Sequence, residues 1–151
     1  MRIIVWFSCG AASAVAAKET LRIYGAKHEV LIACCDTRNS EHPDNYRFSA
    51  DVECWLEHPI IYLKSTKFLD VNDVVEKTRY MSGPRGARCT TELKKNVRKA
   101  FQLPDDRHVF GFTANEGKRK REFESRNPEL FLLWPLSELG ITKLDCYNII
   151  K

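Results

Sequence analysis

The sequence has no long apolar run, no glycine- or proline-rich stretch and no strong excess of one charge. Its 151 residues include only 7 glycines and 6 prolines, which excludes a collagen-like or low-complexity chain. No apolar stretch approaches the roughly 20 residues of a transmembrane helix. The formal charge of +4 does not by itself indicate nucleic acid binding. The length instead predicts a single domain, residues 1–151, that is large enough to bury its own core.

The cysteines and histidines form no recognisable metal or disulfide pattern. The 6 cysteines include no CxxC pair and the 4 histidines are scattered, so we expect no iron–sulfur cluster and no zinc site. A chain with 44% hydrophobic residues does not need disulfides for a core. The apolar run Ile3–Phe7 superficially resembles a signal peptide, but Ser8, Cys9 and Gly10 interrupt it. We therefore expect a reduced, cytoplasmic protein without a membrane partner.

Apolar segments typical of buried strands alternate with segments typical of helices. The predicted strands are Arg2–Phe7, Val30–Cys35, Ile60–Leu63, His108–Phe112 and Leu130–Trp134. The predicted helices are Ala14–Tyr24, Asp44–Leu56 (with Tyr46, Phe48, Val52 and Trp55 as core contacts), Val71–Lys77, Thr90–Phe101, a segment starting at Lys118, and Thr142–Ile150 with Thr142 as N-cap. Tyr80–Cys89 reads as a loop. This alternation predicts a three-layer, doubly wound, Rossmann-like α/β fold with a roughly five-stranded, mainly parallel sheet.

In a doubly wound sheet, ligands bind beyond the carboxyl ends of the strands, where the strand order reverses. The segments expected there are Ser8–Ser13, Asp36-Thr37, Ser65-Thr66 and Thr113–Glu116. Ser8–Ser13 combines small residues with a helix start, so its backbone N–H groups suit a phosphate, although a plain tight turn explains it equally well. Asp36 is placed to hold a ribose hydroxyl or a metal, or simply to cap a turn.

Basic residues are concentrated in the second half of the chain. Between Arg79 and Lys99, Glu92 is the only acid, and Lys118–Arg121 forms a second cluster. The basic residues of the first stretch are Arg79, Arg85, Arg88, Lys94, Lys95, Arg98 and Lys99. Arginine pairs well with phosphate or sulfate, whereas Lys95 and Lys99 fit a solvated helix face. Single-stranded nucleic acid is a weaker interpretation, because few aromatic residues lie among these charges.

Cys89 follows Arg88 at a predicted helix start, and both features favour a thiolate. The alternative is a buried cysteine that only packs. The pair Cys34-Cys35 lies in an apolar strand and is expected to be buried.

Five short motifs follow one another across nearly the whole chain. They are Ser8–Val15; Asp36-Thr37 with Glu41–Asp44; Arg88-Cys89-Thr90 with Leu93-Lys94; Gly111–Glu116 with Arg119; and Pro135-Leu136 with Ile141–Asp145. In this order they resemble the phosphoadenosine phosphosulfate (PAPS) reductase family of the adenine nucleotide alpha-hydrolase-like fold. The first motif resembles that family's modified pyrophosphate loop, or PP-loop.

The resemblance implies a five-stranded parallel sheet with an adenine nucleotide over the first loop. The nucleotide would be PAPS, adenosine 3′,5′-bisphosphate or ATP, with Asp36-Thr37 near the adenosine and later basic residues around the anionic end. The residues implied to bind it are Ser8, Cys9, Gly10, Ala11, Ala12, Ser13, Asp36, Thr37, Arg88, Thr90, Lys94, Gly111, Glu116 and Arg119.

Two departures from the family pattern affect the expected chemistry. Ala12 stands where family members that hydrolyse ATP carry an acid that helps place magnesium, so Mg²⁺ is expected only if ATP is the substrate. The family's ECGLH-like motif, which carries the catalytic cysteine, is not present. Cys146, the last cysteine, lies within a predicted helix. Binding of a sulfonucleotide is therefore better supported than its reduction.

Three functional hypotheses remain open from the sequence. In a reductase, Cys89 or Cys9 is the attacking thiolate, or a thioredoxin-like reductant acts directly. In an adenylating sulfur transferase, a substrate oxygen attacks ATP. A nucleic acid is one candidate for that substrate. In the third hypothesis the protein binds or sequesters a nucleotide without turnover. The sequence leaves a homo-oligomer open.

Overall fold

Five strands form one parallel sheet in the computed structural model, which describes residues 1–151. They are β1 (Arg2–Trp6), β2 (Glu29–Cys35), β3 (Ile60–Leu63), β6 (Arg107–Val109) and β7 (Phe131–Leu133). The order across the sheet is β3-β2-β1-β6-β7. The strand order therefore reverses between the adjacent strands β1 and β6, and the predicted doubly wound α/β fold is confirmed.

Helices connect the strands and cover both faces of the sheet. They are α1 (Ala11–Tyr24), α2 (Asp44–Leu56), α3 (Val71–Thr78), α4 (Arg88–Thr90), α5 (Asn96–Phe101), α6 (Gly117–Arg126), α7 (Pro135–Glu138) and α8 (Lys143–Ile150). Strands β4 (Ser82–Gly83) and β5 (Gly86–Ala87) form a small antiparallel hairpin. None of these helices is both long enough and apolar enough to cross a lipid bilayer.

The two faces of the sheet are packed very differently. Alternate residues of β1 point to opposite faces. Ile3 and Val5 belong to a cluster of 16 buried residues beneath α1, which also contacts α2, α7 and α8. We call this cluster the large core. On the other face, here called the thin face, only three buried residues cluster, namely Ile4, Trp6 and Ala33.

Local sequence signals account for several element boundaries. The Thr142 hydroxyl oxygen accepts a hydrogen bond from the Asp145 N–H, and the Thr142 backbone N–H donates to the Asp145 carboxylate, which completes a capping box at the start of α8. Thr142 is thus confirmed as the N-cap. Helix α2 spans the residues predicted for it, and Glu57 ends it in a left-handed conformation.

Other predicted boundaries were wrong. Helix α1 begins at Ala11 rather than Ala14, because Gly10 already serves as its N-cap. Strand β6 ends at Val109 rather than Phe112. The predicted loop Tyr80–Cys89 contains the β4–β5 hairpin and the start of α4.

The predicted helix Thr90–Phe101 is also different. A π-helical turn over Thr91–Lys95 interrupts it and joins α4 to α5. Helix α7 was missed because it is only one turn long. Tyr46, predicted as a core contact, is 49% exposed. Cys35 is only partly buried, because the strand turns its side chain toward the thin face, unlike its buried neighbour Cys34.

Candidate functional site

A cavity of about 570 Å³ lies at the carboxyl ends of β1, β2 and β6. This position is the one expected for a ligand site, because the strand order reverses there. The predicted residues that line it are Ser8, Cys9, Gly10, Ala12, Ser13, Thr37, Lys94, Gly111, Glu116 and Arg119. Its volume lies within the range of small-molecule sites, roughly 300–1,000 Å³.

The segment Ser8–Ser13, which ends in the first turn of α1, forms one wall of the cavity and is organised by the Ser13 hydroxyl. Ser13 Oγ donates to the Gly10 carbonyl at 2.9 Å and accepts from the Ser8 N–H at 3.1 Å. Ser8 Oγ lies 3.3 Å from the same hydroxyl oxygen. Gly10 has no side chain with which to cap α1. The first turn of α1 therefore has no side-chain acceptor for its N–H groups, and Ala12 and Ser13 line the cavity, an arrangement that favours an anion.

Gly111 brings the segment after β6 into direct contact with this loop. A Cβ atom at Gly111 would lie 2.7 Å from the Ser13 nitrogen and 2.9 Å from the Ser13 Cα. These atoms are backbone and cannot rotate away. Glycine at this position therefore allows α1 and the segment after β6 to meet at the switch point of the sheet.

Asp36 does not line the cavity, because Arg38 occupies its carboxylate. Arg38 Nε lies 2.8 Å from Asp36 Oδ1 and Arg38 Nη2 lies 3.0 Å from Oδ2, a two-pronged ion pair. The hydrogen bonds from Arg38 hold the pKa of Asp36 below its ordinary value. The Arg38 guanidinium also stacks over Tyr62 at 4.0 Å and itself lines the cavity. Arg38, which sequence reasoning missed, thus lines the cavity, and the predicted acid Asp36 orients the Arg38 side chain.

Two cavity carboxylates are already engaged by neighbouring groups. Glu41 accepts a hydrogen bond from Thr37 Oγ1 at 2.8 Å and lies 3.7 Å from Lys94 Nζ. Glu116 accepts from the Thr113 N–H at 2.9 Å and pairs with Arg119 at 2.9 Å. Burial acts to raise the pKa of Glu116, but the hydrogen bonds from Thr113 and Arg119 hold it below its ordinary value. Both carboxylates are therefore already paired with a cation of the chain.

Arg98 is the most informative side chain that sequence reasoning left out of the site. It lines the cavity from α5, and its guanidinium lies 5.2 Å from the centre of the Phe110 ring and 5.9 Å from that of Trp6. Burial lowers the pKa of Arg98; the Cys35 thiol opposes this shift, and no carboxylate does. The spacing of four residues from Lys94 is a sequence signal that would have placed both side chains on one helix face.

Several predicted site residues are not brought to the cavity. Arg88 pairs with Glu92 at 3.0 Å and lines a separate shallow depression beside the hairpin. Ala11, Asp36, Cys89, Thr90 and the segment Ser65-Thr66 are also absent from the cavity lining. Cys89, expected as a catalytic thiol, sits in the one-turn helix α4, which follows the hairpin. Of the two predicted catalytic cysteines, the cavity contains Cys9.

Three thiols line the cavity, namely Cys9, Cys34 and Cys35. Interaction with the neighbouring Cys34 thiol lowers the pKa of Cys9 below its ordinary value, although burial opposes this shift. The same interaction, together with burial, raises the pKa of Cys34, whose Sγ lies 3.7 Å from the Cys35 carbonyl oxygen. Burial raises the pKa of Cys35 to about 11. Cys9 is thus the thiol of this group most readily deprotonated.

Neither metal-ligand geometry nor comparison with known proteins identifies a function for this chain. No group of three or more His, Cys, Asp or Glu side chains is arranged to hold a metal ion. Comparisons with protein-family models and with curated proteins found no match to this chain. The functional conclusion therefore depends on the cavity.

Proposed function

We propose that this protein binds an adenine sulfonucleotide in the cavity, with the sulfate or phosphate end between the start of α1 and Arg98. The observation that carries the proposal is the placement of these two groups across one cavity. The α1 N-terminus has no side-chain cap, and the half-buried Arg98 guanidinium has no carboxylate partner. A cation that loses hydration without a partner is costly, so an anionic ligand would complete this site.

The charge of the cavity lining supports an anion with more than one negative charge. Six cationic side chains face three carboxylates, and Glu41 and Glu116 are already neutralised. The cations are Arg38, Lys94, Arg98, Arg119, Arg126 and Lys143. Among them, Arg98, Arg126 and Lys143 form no salt bridge with the chain, so they are free to meet phosphate or sulfate oxygens.

The apolar part of the cavity supports a planar base. Phe110 and Phe112 stack at 6.4 Å, and Phe123 approaches Phe110 at 4.7 Å. All three residues line the cavity and make part of its wall aromatic, which suits an aromatic ligand. The choice of adenine comes from the five motifs that resemble the PAPS reductase family, with Ser8–Val15 as the modified PP-loop.

Cys9 favours a sulfonucleotide over ATP. Its thiol lies inside the loop that would hold the anion, so a nucleophilic sulfur stands beside the terminal group of the ligand. Ala12 provides no carboxylate for a magnesium ion at the position where ATP-cleaving relatives of the PP-loop type would carry one. We therefore expect sulfur chemistry on a bound nucleotide, with a dithiol reductant of the thioredoxin class as partner.

The experiment is a thermal-shift panel with PAPS, adenosine 3′,5′-bisphosphate, AMP, ATP and GTP, each with and without Mg²⁺. A ligand at about 100 times its Kd stabilises the folded state by about 2.7 kcal/mol, which raises Tm by roughly 2–4 °C per kcal/mol. We expect PAPS and the bisphosphate to produce this shift without Mg²⁺. Arg98→Met should abolish it.

Arg107→Met is the matched control, because Arg107 also stacks on an aromatic ring, Phe131, but lies outside the cavity. It should retain the full shift. A shift with ATP only in the presence of Mg²⁺ would instead support an adenylating sulfur transferase. Tight binding of PAPS without sulfite release in the presence of a dithiol would support a sequestering protein. No shift with any adenine nucleotide would contradict the proposal.

A further inference from the structure

We propose that Cys9 and Cys34 form a redox-active pair, in which Cys9 attacks a sulfur electrophile and Cys34 resolves the adduct as an intramolecular disulfide. The electrophile is a sulfonate or disulfide sulfur that enters the cavity. The role toward a sulfonucleotide rests on the proposed function above, whereas closure of the disulfide does not depend on it.

The fold places the two cysteines at the carboxyl ends of adjacent strands, on one cavity. β1 and β2 are parallel neighbours, and the Phe7 N–H donates to the Ala33 carbonyl at 2.8 Å, which extends the ladder to the residue before Cys34. Cys9 follows two residues after Phe7 and packs against the large core, of which Cys34 is a member. Both thiols line the same cavity.

The backbone at Cys9 marks this position as unusual. Cys9 has φ 56°, in the left-handed region that a side chain with a Cβ seldom adopts. Glycine would adopt this conformation at lower cost. A cysteine held there against its conformational preference is typical of a functional position, since local strain is concentrated at such sites.

The environments of the two thiols assign their roles. Cys9 is half-buried and reachable from the cavity, whereas Cys34 is only 2% exposed. The interaction between them lowers the pKa of Cys9 and raises that of Cys34, so the first proton leaves Cys9. Once Cys9 carries an adduct it no longer bears the charge that opposes ionisation of Cys34, and Cys34 can then act as nucleophile.

The proposed reaction is balanced in electrons and atoms. The Cys9 thiolate forms a bond to the sulfonate sulfur, the sulfur–oxygen bond to the nucleotide breaks, and the nucleotide phosphate leaves with the electron pair. Cys34 then loses its proton to solvent and attacks Cys9 Sγ, and sulfite leaves. Two electrons pass from the thiols to the sulfonate sulfur. A dithiol reductant of the thioredoxin class restores the pair.

The test uses the full chain and an aromatic disulfide, dithiobis(nitrobenzoic acid), so that no nucleotide is required. Attack by Cys9 releases one thionitrobenzoate, and attack by Cys34 on the mixed disulfide releases a second. We expect no adduct to remain on Cys9. Trypsin under non-reducing conditions should yield the peptide Ile3–Lys18 linked by a disulfide to His28–Arg38, which contains both Cys34 and Cys35.

Single substitutions distinguish the roles of the three cavity cysteines. Cys34→Ala should retain a stable thionitrobenzoate adduct on Cys9, and Cys9→Ser should form no linked peptides. Cys35→Ser is the matched control, because Cys35 points to the thin face, with its Sγ 3.6 Å from the Lys94 carbonyl oxygen. It should form the linked peptides as readily as the wild-type chain. If Cys34→Ala does not fold, the Cys35→Ser chain alone still decides whether Cys9 becomes linked to Cys34.

A persistent adduct on Cys9 of the wild-type chain, or linkage that disappears in Cys35→Ser, would overturn the proposal. The nucleotide panel on Cys34→Ala keeps the two proposals distinct. If Cys34→Ala keeps the thermal shift with PAPS but no longer forms the disulfide, both the proposed function and the redox pair are supported. Disulfide closure in a chain that binds no nucleotide supports the redox pair and contradicts the proposed function.

Discussion

The two faces of the sheet differ in what their side chains do. The large core is built from aliphatic and small residues such as Val15, Ile32 and Leu136, sealed beneath α1, α2, α7 and α8. The thin face has few buried apolar residues, and Arg98 lies there near the rings of Trp6 and Phe110. Apolar burial therefore stabilises the fold mainly on one face. The other face carries charged groups that an anionic ligand can complete, and the cavity opens where the two meet.

The first way to test this difference is to remove apolar volume from the large core. Leu136→Ala should lower the free energy of unfolding by about 3 kcal/mol, because Leu136 is completely buried and the vacated space cannot collapse fully. Urea denaturation measures the loss. Phe101→Ala, on the partly exposed thin face, should cost about half as much. An equal loss in both variants would show that the faces contribute alike.

The second test acts where the two faces meet. Gly111→Ala should destabilise the chain by about 2 kcal/mol and weaken nucleotide binding, since the added Cβ overlaps the Ser13 backbone. Gly117→Ala is the control, because its Cβ would meet only the mobile end of the Arg121 side chain at 3.4 Å. Titration calorimetry and urea denaturation measure both effects. Unaltered affinity in Gly111→Ala would argue against the loop Ser8–Ser13 as the anion site.

A third variant should separate stability from binding on the thin face. Arg98→Met removes a cation that burial leaves without a partner, while its side chain still covers Phe110. We expect the free chain to gain about 1 kcal/mol of stability, because an unpaired polar group no longer loses hydration. Affinity for a sulfonucleotide should fall at least tenfold. A variant that loses stability would indicate that Arg98 is structural.

The smallest expected effect concerns pH and the buried pair Trp6–His108. Trp6 Nε1 donates to His108 Nδ1 at 3.1 Å, and burial holds the pKa of His108 below its ordinary value of 6.5. Below pH 6.5 the unfolded chain therefore binds a proton that the folded chain resists. The contribution of His108 to the free energy of unfolding is fully present above that pH. It falls as the pH decreases, by at most about 1.4 kcal/mol per pH unit.

Urea denaturation at about pH 7.5 and about pH 5.5 measures this dependence. His108→Gln keeps an acceptor for Trp6 but cannot titrate, so its stability should change less across the same interval. An identical pH dependence in this variant would assign the effect to other groups, but not to the carboxylates Asp36 and Glu116. The pKa values of both are held low in the folded chain, so their contribution is lost only as the pH falls through the acid range.

Sequence reasoning succeeded where the signal was local. The loop Ser8–Ser13 was predicted from small residues between an apolar strand and a helix, and five of its six residues line the cavity. Thr142 was predicted as an N-cap from its position before a helix. Gly111 entered the site through its motif, although its physical role, the close approach to Ser13, became visible only in the fold.

Sequence reasoning failed where the outcome depends on which side-chain contacts form in the folded chain. Asp36 was expected to face a ligand, yet Arg38 occupies it, and no local pattern distinguishes that ion pair from a free acid. Cys89 was favoured because Arg88 precedes it at a helix start, but the hairpin and α4 hold it away from the cavity. Cys34 was interpreted as a packing residue, because the pattern of a strand does not indicate which cysteine of another segment will lie near it.

The sequence by itself determined the alternation of strands and helices, the doubly wound architecture and the position of the small-residue loop. These features depend on periodicity, propensity and chain connectivity, which act over a few residues. Only the tertiary structure decided which charges remain free and which thiols meet. Arg98, Cys9 and Cys34 come from separate segments. Their partners are set by the order in which the strands pack, with β1 between β2 and β6.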